Sequence, residues 1–138
     1  MPLVIQGLSL LNNSNLSFDN FYDVLCVSIK SGIRALDTSH AYGDSEKFTG
    51  KAINQLLTEG RISRDELFIT TKIDNEQQYS GDIEQAVDDA LQTLRLEYLD
   101  CMLLHWPLPN KYIDNWDKLT SVYKKGKVRS IRFANMQE

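Results

Sequence analysis

Apolar positions along the chain alternate between two periods. Val4 to Leu11 is a short apolar run and predicts a first strand, with a polar Asn and Ser loop from Asn12 to Asn15. Phe18, Tyr22, Leu25 and Ile29 then recur at helical spacing, and Gly32 closes that helix. Ile33 to Asp37 predicts a second strand. Ser45 is placed to cap a second helix striped by Phe48, Ala52, Leu56 and Leu57 and ended by Gly60. Ser63 to Glu66 has the capping-box pattern of a short helical turn before a third strand, Leu67 to Thr71. Ile83, Val87, Leu91 and Leu94 stripe a third helix, and Tyr98 to Leu104 reads as a fourth strand. Ile113, Trp116, Leu119 and Tyr123 stripe a fourth helix, with Lys124 and Lys125 at its negative end and Gly126 as its stop. Val128 to Ala134 predicts a fifth strand.

The alternation is a strand followed by four helix–strand units. It predicts an α/β protein with about five parallel strands and four helices, joined by right-handed crossovers. Continuous apolar strands agree, because a parallel sheet is covered on both faces. An open doubly wound sheet and part of an eight-stranded barrel both satisfy this order. The sequence has neither Gly-x-Gly-x-x-Gly nor a P-loop, which weakens the first. Polar residues at several successive strand ends favour the barrel, whose active sites occupy the carboxyl rim.

Those polar residues carry the candidate chemistry. Asp37 ends the second strand, Lys72 follows the third, His105 follows the fourth, and Tyr42 lies in the loop after the second. An acid, an amine, an imidazole and a phenol meeting at one rim would make a proton-transfer site. Taken singly, each has a plainer reading: a loop cap, a solvated lysine, a structural histidine and a packing tyrosine. Trp106, next to His105, is placed to wall a pocket.

Composition narrows the partners. The chain has 138 residues, enough for a single domain over 1–138, with 42% hydrophobic and 25% charged residues. A net charge of -4 gives no footprint for nucleic acid, and the basic residues form no run that would suit an anionic membrane. No apolar stretch approaches membrane-spanning length, and no signal peptide is evident at the N-terminus. Two cysteines, Cys26 and Cys101, are too few for a disulfide framework, so the cytosol is the default compartment. Cys101 reads as a small buried hydrophobe. His40 lacks the company a metal ligand needs and reads as a loop residue. Tyr112, Trp116 and Tyr123 read as core or interface, and Asp82, Glu84, Asp88 and Asp89 as a solvated face.

Taken together, these segments resemble the aldo-keto reductase family. Gly32 to Gly43 (GIRALDTSHAYG) is similar to the family's first signature, continued by Gly50 to Ile53 (GKAI). Glu66 to Lys72 (ELFITTK) resembles the segment carrying the family lysine. Leu94 to Pro107 (LRLEYLDCMLLHWP) resembles the approach to the family histidine, and Gly126 to Ile131 (GKVRSI) the approach to the fifth strand. The resemblance implies a partial (β/α)8 barrel and NADPH-dependent reduction of an aldehyde or ketone to an alcohol. It implies that Tyr42 is the general acid and that Lys72 eases proton release from the phenol. It further implies that Asp37 holds Lys72, that His105 orients the carbonyl, and that Asp37 and Asn135 contact the cofactor.

The sequence departs from that pattern in places. Ile131 to Met136 (IRFANM) has Arg132 where a Gly is usual and Ala134 where a Ser is usual, leaving Asn135 of a Ser–Asn pair. Gly7 to Leu11 (GLSLL) lacks the Thr–Trp often found there, and Asp44, Ser45 and Glu46 replace an Asn–Glu. Eight strands of this type take roughly 250 residues, and this chain supplies about five. Two expectations follow: a carbonyl reductase site, or a truncated, catalytically inactive half-barrel that self-associates through unpaired strand edges.

Overall fold

A computed structural model describes residues 4–10 and 15–135. Five strands form one sheet in the order β1-β2-β3-β4-β5: β1 (Ile5–Gly7), β2 (Ala35–Asp37), β3 (Phe68–Ile73), β4 (Cys101–Leu104) and β5 (Ile131–Phe133). Every neighbouring pair is parallel. The crossovers are α1 (Phe18–Lys30), α2 (Ser45–Thr58), the α3 (Asn75–Ser80) and α4 (Ile83–Leu94) pair, and α5 (Tyr112–Lys124).

The strand ends differ from those the apolar runs predict. The first strand closes at Gly7, although Leu8 and Leu10 beyond it are buried; Leu11 and the start of the polar loop lie outside the described residues. Hydrophobicity marks burial, whereas a strand also needs a paired neighbour. Likewise β4 begins at Cys101, preceded by an isolated bridge from Leu99 to Val128. A fifth, short helix, α3, adds to the four expected. It has no apolar stripe and forms through its ends: Asp74 and Gln77 make a reciprocal capping box, and Gly81 closes it at φ 81°. Ser45 is not a cap. Asp44 occupies that position, and the Ser45 hydroxyl turns inward to donate to the Leu8 carbonyl at 2.5 Å.

The core lies between sheet and helices. Leu36, Ile69, Ile73, Met102 and Leu104 point from the strands into Leu25, Ile53, Leu56, Ile83, Leu94 and Leu119, all almost fully buried. Gly50 brings α2 and α4 into backbone contact, for a Cβ there would lie 2.7 Å from the Leu94 Cα and from the carbonyls of Thr93 and Leu94. Beneath the sheet, Asp100 accepts from Arg64 at 2.8 Å and from the Ile69 amide at 2.9 Å. The Tyr98 ring is flanked there by Arg64 and Arg129.

Strand alternation sets what faces the other way. Asp37 is in register with Thr70, Thr70 with Cys101, and Lys72 with Leu103. These residues line the face of the sheet away from the helices, the inner face. Cys101 is buried there, as expected of a small hydrophobe. The acidic residues of α4 form an exposed face that carries ion pairs. Glu84 and Asp88 reach Lys125 and Lys127 past the end of α5, with contacts of 2.6 to 3.0 Å. Trp116 stacks on Phe133 at 4.6 Å, and Tyr112 meets the same ring edge-on.

Candidate active site

The carboxyl ends of β2, β3 and β4 bring the predicted residues together. Lys72 is 7% exposed, and its ammonium donates to Asp37 Oδ1 and, at 2.9 Å, to the Thr38 carbonyl. A buried ammonium needs such partners, since an unpaired charge there would be costly. Lys72 Nζ also lies 4.8 Å from the centre of the Tyr42 ring. Tyr42 meets His105 edge-on, with ring centres 5.7 Å apart. Trp106, 47% exposed, lies nearly parallel to His105 at 6.3 Å.

The loop carrying Tyr42 is anchored at both ends. At its start the Thr38 amide donates to the Thr70 carbonyl at 2.9 Å, while Lys72 holds the Thr38 carbonyl. At its end the Thr38 and Ser45 hydroxyls share a 2.6 Å hydrogen bond. Between them the Tyr42 amide donates to the Ser39 carbonyl at 3.0 Å, forming a turn that turns the phenol toward the rim.

His105 is held by its backbone and its ring. Its amide continues the ladder to the Ile73 carbonyl at 3.0 Å, and its carbonyl accepts from Asn135 Nδ2 at 2.8 Å. Ser39 Oγ lies 3.3 Å from His105 Nδ1 and accepts from the Ala41 amide. The Ser39 hydroxyl can donate to Nδ1, an arrangement that leaves the ring proton on Nε2. Burial, and then the Lys72 charge, push the His105 pKa below its ordinary value, which favours the neutral ring.

All six predicted residues (Asp37, Tyr42, Lys72, His105, Trp106 and Asn135) thus reach one rim. Sequence reasoning missed Ser39, which touches the His105 ring, and the nearby Thr38–Ser45 and Thr71–Glu46 hydrogen bonds. His40 sits beside this group, half exposed, and faces Glu46 and Asp74. Among the described residues no cluster of His, Cys, Asp or Glu could hold a metal ion. The described residues also contain no helix long and apolar enough to cross a membrane.

Comparison with known proteins identifies the family. A family model described as "Aldo/keto reductase family" matches residues 4–137. The chain is 36% identical over 137 residues to "Glyoxal reductase" of Bacillus subtilis (strain 168), covering 99% of this chain and 46% of that protein. It is 38% identical over 112 residues to "Methylglyoxal reductase DkgA" of Salmonella typhimurium, covering 80% of this chain and 38% of the relative. The crystal structure of aldo-keto reductase AKR2E5 of the silkworm Bombyx mori, complexed with NADPH, superposes with a TM-score of 0.88 at 28% identity. That alignment covers 99% of this chain and 45% of the silkworm chain. The chain spans about half the length of the relatives it matches, or less. It belongs to the aldo/keto reductase family.

Proposed function

We propose that this chain carries the proton-transfer half of an NADPH-dependent carbonyl reductase site acting on small aldehydes and ketones. The observation supporting it most is the convergence of Tyr42, Lys72, Asp37 and His105 at one rim. In this reading Tyr42 donates its hydroxyl proton to the carbonyl oxygen as that oxygen gains charge. The Lys72 ammonium stabilises the phenolate left behind, and Asp37 keeps Lys72 charged and aimed. His105 donates from Nε2 to the same oxygen and fixes its direction, and Trp106 shields the side of the pocket.

The rim fits the reactive end of the cofactor. Asp37 binds Lys72 through one oxygen and its side chain is 26% exposed, which suits an acceptor for a ribose hydroxyl. Asn135, held against His105, would take part in binding the carboxamide. NADPH, when bound, supplies the hydride. The named activities of the relatives, a glyoxal reductase and a methylglyoxal reductase, point to small dicarbonyls as the substrate class.

The test is turnover of methylglyoxal by the purified chain, followed by loss of NADPH absorbance. Tyr42→Phe is expected to lower the rate at least about 10²-fold with the fold intact. Undiminished turnover in that variant removes Tyr42 as the acid, and no turnover by the unaltered chain removes the enzyme reading.

A second reading is a self-associating half-barrel without catalysis. Val4 and Ile5 at the β1 edge, and Val24 and Val27 on α1, are exposed apolar residues that favour it.

A further inference from the structure

The first turn of α2 holds a carboxylate that the proposed chemistry does not use. Glu46 is 3% exposed although it stands at the carboxyl rim of the sheet. Its Oε1 accepts a 2.5 Å hydrogen bond from Thr71 Oγ1, and Thr71 is itself fully buried. Its Oε2 lies 3.6 Å from His40 Nδ1, and the other nitrogen of His40 lies 4.0 Å from Asp74 Oδ2.

These contacts sit on both sides of the reactive pair. Thr71 precedes Lys72 on β3 and points to the helix layer, whereas Lys72 points to the inner face. His40 belongs to the loop that carries Tyr42. Glu46 therefore joins the strand position beside the ammonium to the loop that bears the phenol. Ser45, one residue earlier, fastens the same turn to the Leu8 carbonyl.

A charged group is a poor choice if stability alone were served. Burial pushes the Glu46 carboxyl above its ordinary pKa, against the pull of Thr71 and His40. A glutamine would accept the Thr71 hydrogen bond without a desolvated charge.

We infer that Glu46 is a positioning residue, one that holds the Tyr42 loop against β3 so that the phenol stays over Lys72. The functional meaning rests on the reductase reading; the geometric claim is tested without it. In the full chain, NMR resolves the contact between the Tyr42 and His105 rings, with Tyr42→Phe used to assign the tyrosine signals. Glu46→Leu is expected to weaken that cross-peak at least about threefold as the loop opens locally, with the Leu99 and Leu119 methyl signals unmoved. Glu46→Gln, which keeps the acceptor for Thr71, is expected to retain it. A merely structural role would lower the melting temperature and leave the cross-peak intact in the folded protein. If Glu46→Leu fails to fold, Thr71→Val removes the same hydrogen bond from the other end. A full-strength cross-peak in either folded variant overturns the inference. Because neither NADPH nor a carbonyl is present, a failed reductase reading would show separately, as absent turnover beside an intact cross-peak response.

Discussion

Lys72 and Tyr42 face one another across the carboxyl rim, with the ammonium nitrogen 4.8 Å from the phenol ring centre. Neither residue is near the other in sequence. Their meeting depends on β2 and β3 being parallel neighbours, so that the end of one strand and the loop after the other share a rim. An ammonium placed there stabilises a phenolate, and a carboxylate on the same ammonium keeps it in place.

On the proposed reading, the charge of Lys72 is indispensable to proton transfer. Lys72→Met is expected to lower methylglyoxal turnover about 10²-fold or more, because the phenolate loses its cation and Asp37 its partner. Stopped-flow or steady-state NADPH oxidation measures it. Unchanged turnover would place the proton donor elsewhere.

The rim residues were legible because three of the apolar runs close on a polar residue. Asp37, Lys72 and His105 are visible in that way, Tyr42 lies in the loop after the first of these runs, and the resemblance supplied their roles. Ser39, Glu46 and Thr71 were not legible. Ser39 acts on a histidine 66 residues away and Glu46 on a threonine 25 residues away, and no local pattern records such a pairing. Helix α3 was missed for a different reason: capping at Asp74 and Gly81 makes it, and hydrophobic periodicity does not. Ser45 looked like a cap by residue type, but its hydroxyl is drawn to the Leu8 carbonyl of the next layer.

Glu46 makes stability depend on pH in a defined direction. Its folded pKa lies above the ordinary 4.5 because burial disfavours the charge. The folded state therefore holds the proton more tightly, and this group's contribution to stability is fully present below 4.5 and is lost as pH rises through the folded value. Glu46→Gln is expected to gain in stability relative to the parent chain as pH rises from acid to neutral. Urea unfolding at several pH values checks this, and a gap that narrows with rising pH would contradict it.

Gly50 is set by close approach and not by backbone freedom. A methyl group there meets the backbone of Thr93 and Leu94, which cannot move aside as a side-chain tip could. Gly50→Ala is expected to destabilise the chain by about 1–3 kcal/mol by forcing α2 and α4 apart. Denaturant titration reads the shift in midpoint. A neutral or stabilising change would mean that the helices separate at little cost.

β1 is the first strand of the sheet and exposes Val4 and Ile5, and Ser28 of α1 donates to Gln6 of β1 at 2.9 Å. Such an edge invites pairing with a second copy. Sedimentation is expected to find a dimer or larger species, and a lysine at Val27, 66% exposed on α1, is expected to shift it toward monomer. A monomer at all concentrations would refute self-association.

The most direct measurement is titration of the purified chain with NADPH, read by cofactor fluorescence. Saturable binding at micromolar concentrations, weakened when Asp37 is replaced by alanine, is the predicted result. No binding at millimolar cofactor would contradict the reductase account and leave the four rim residues as a remnant.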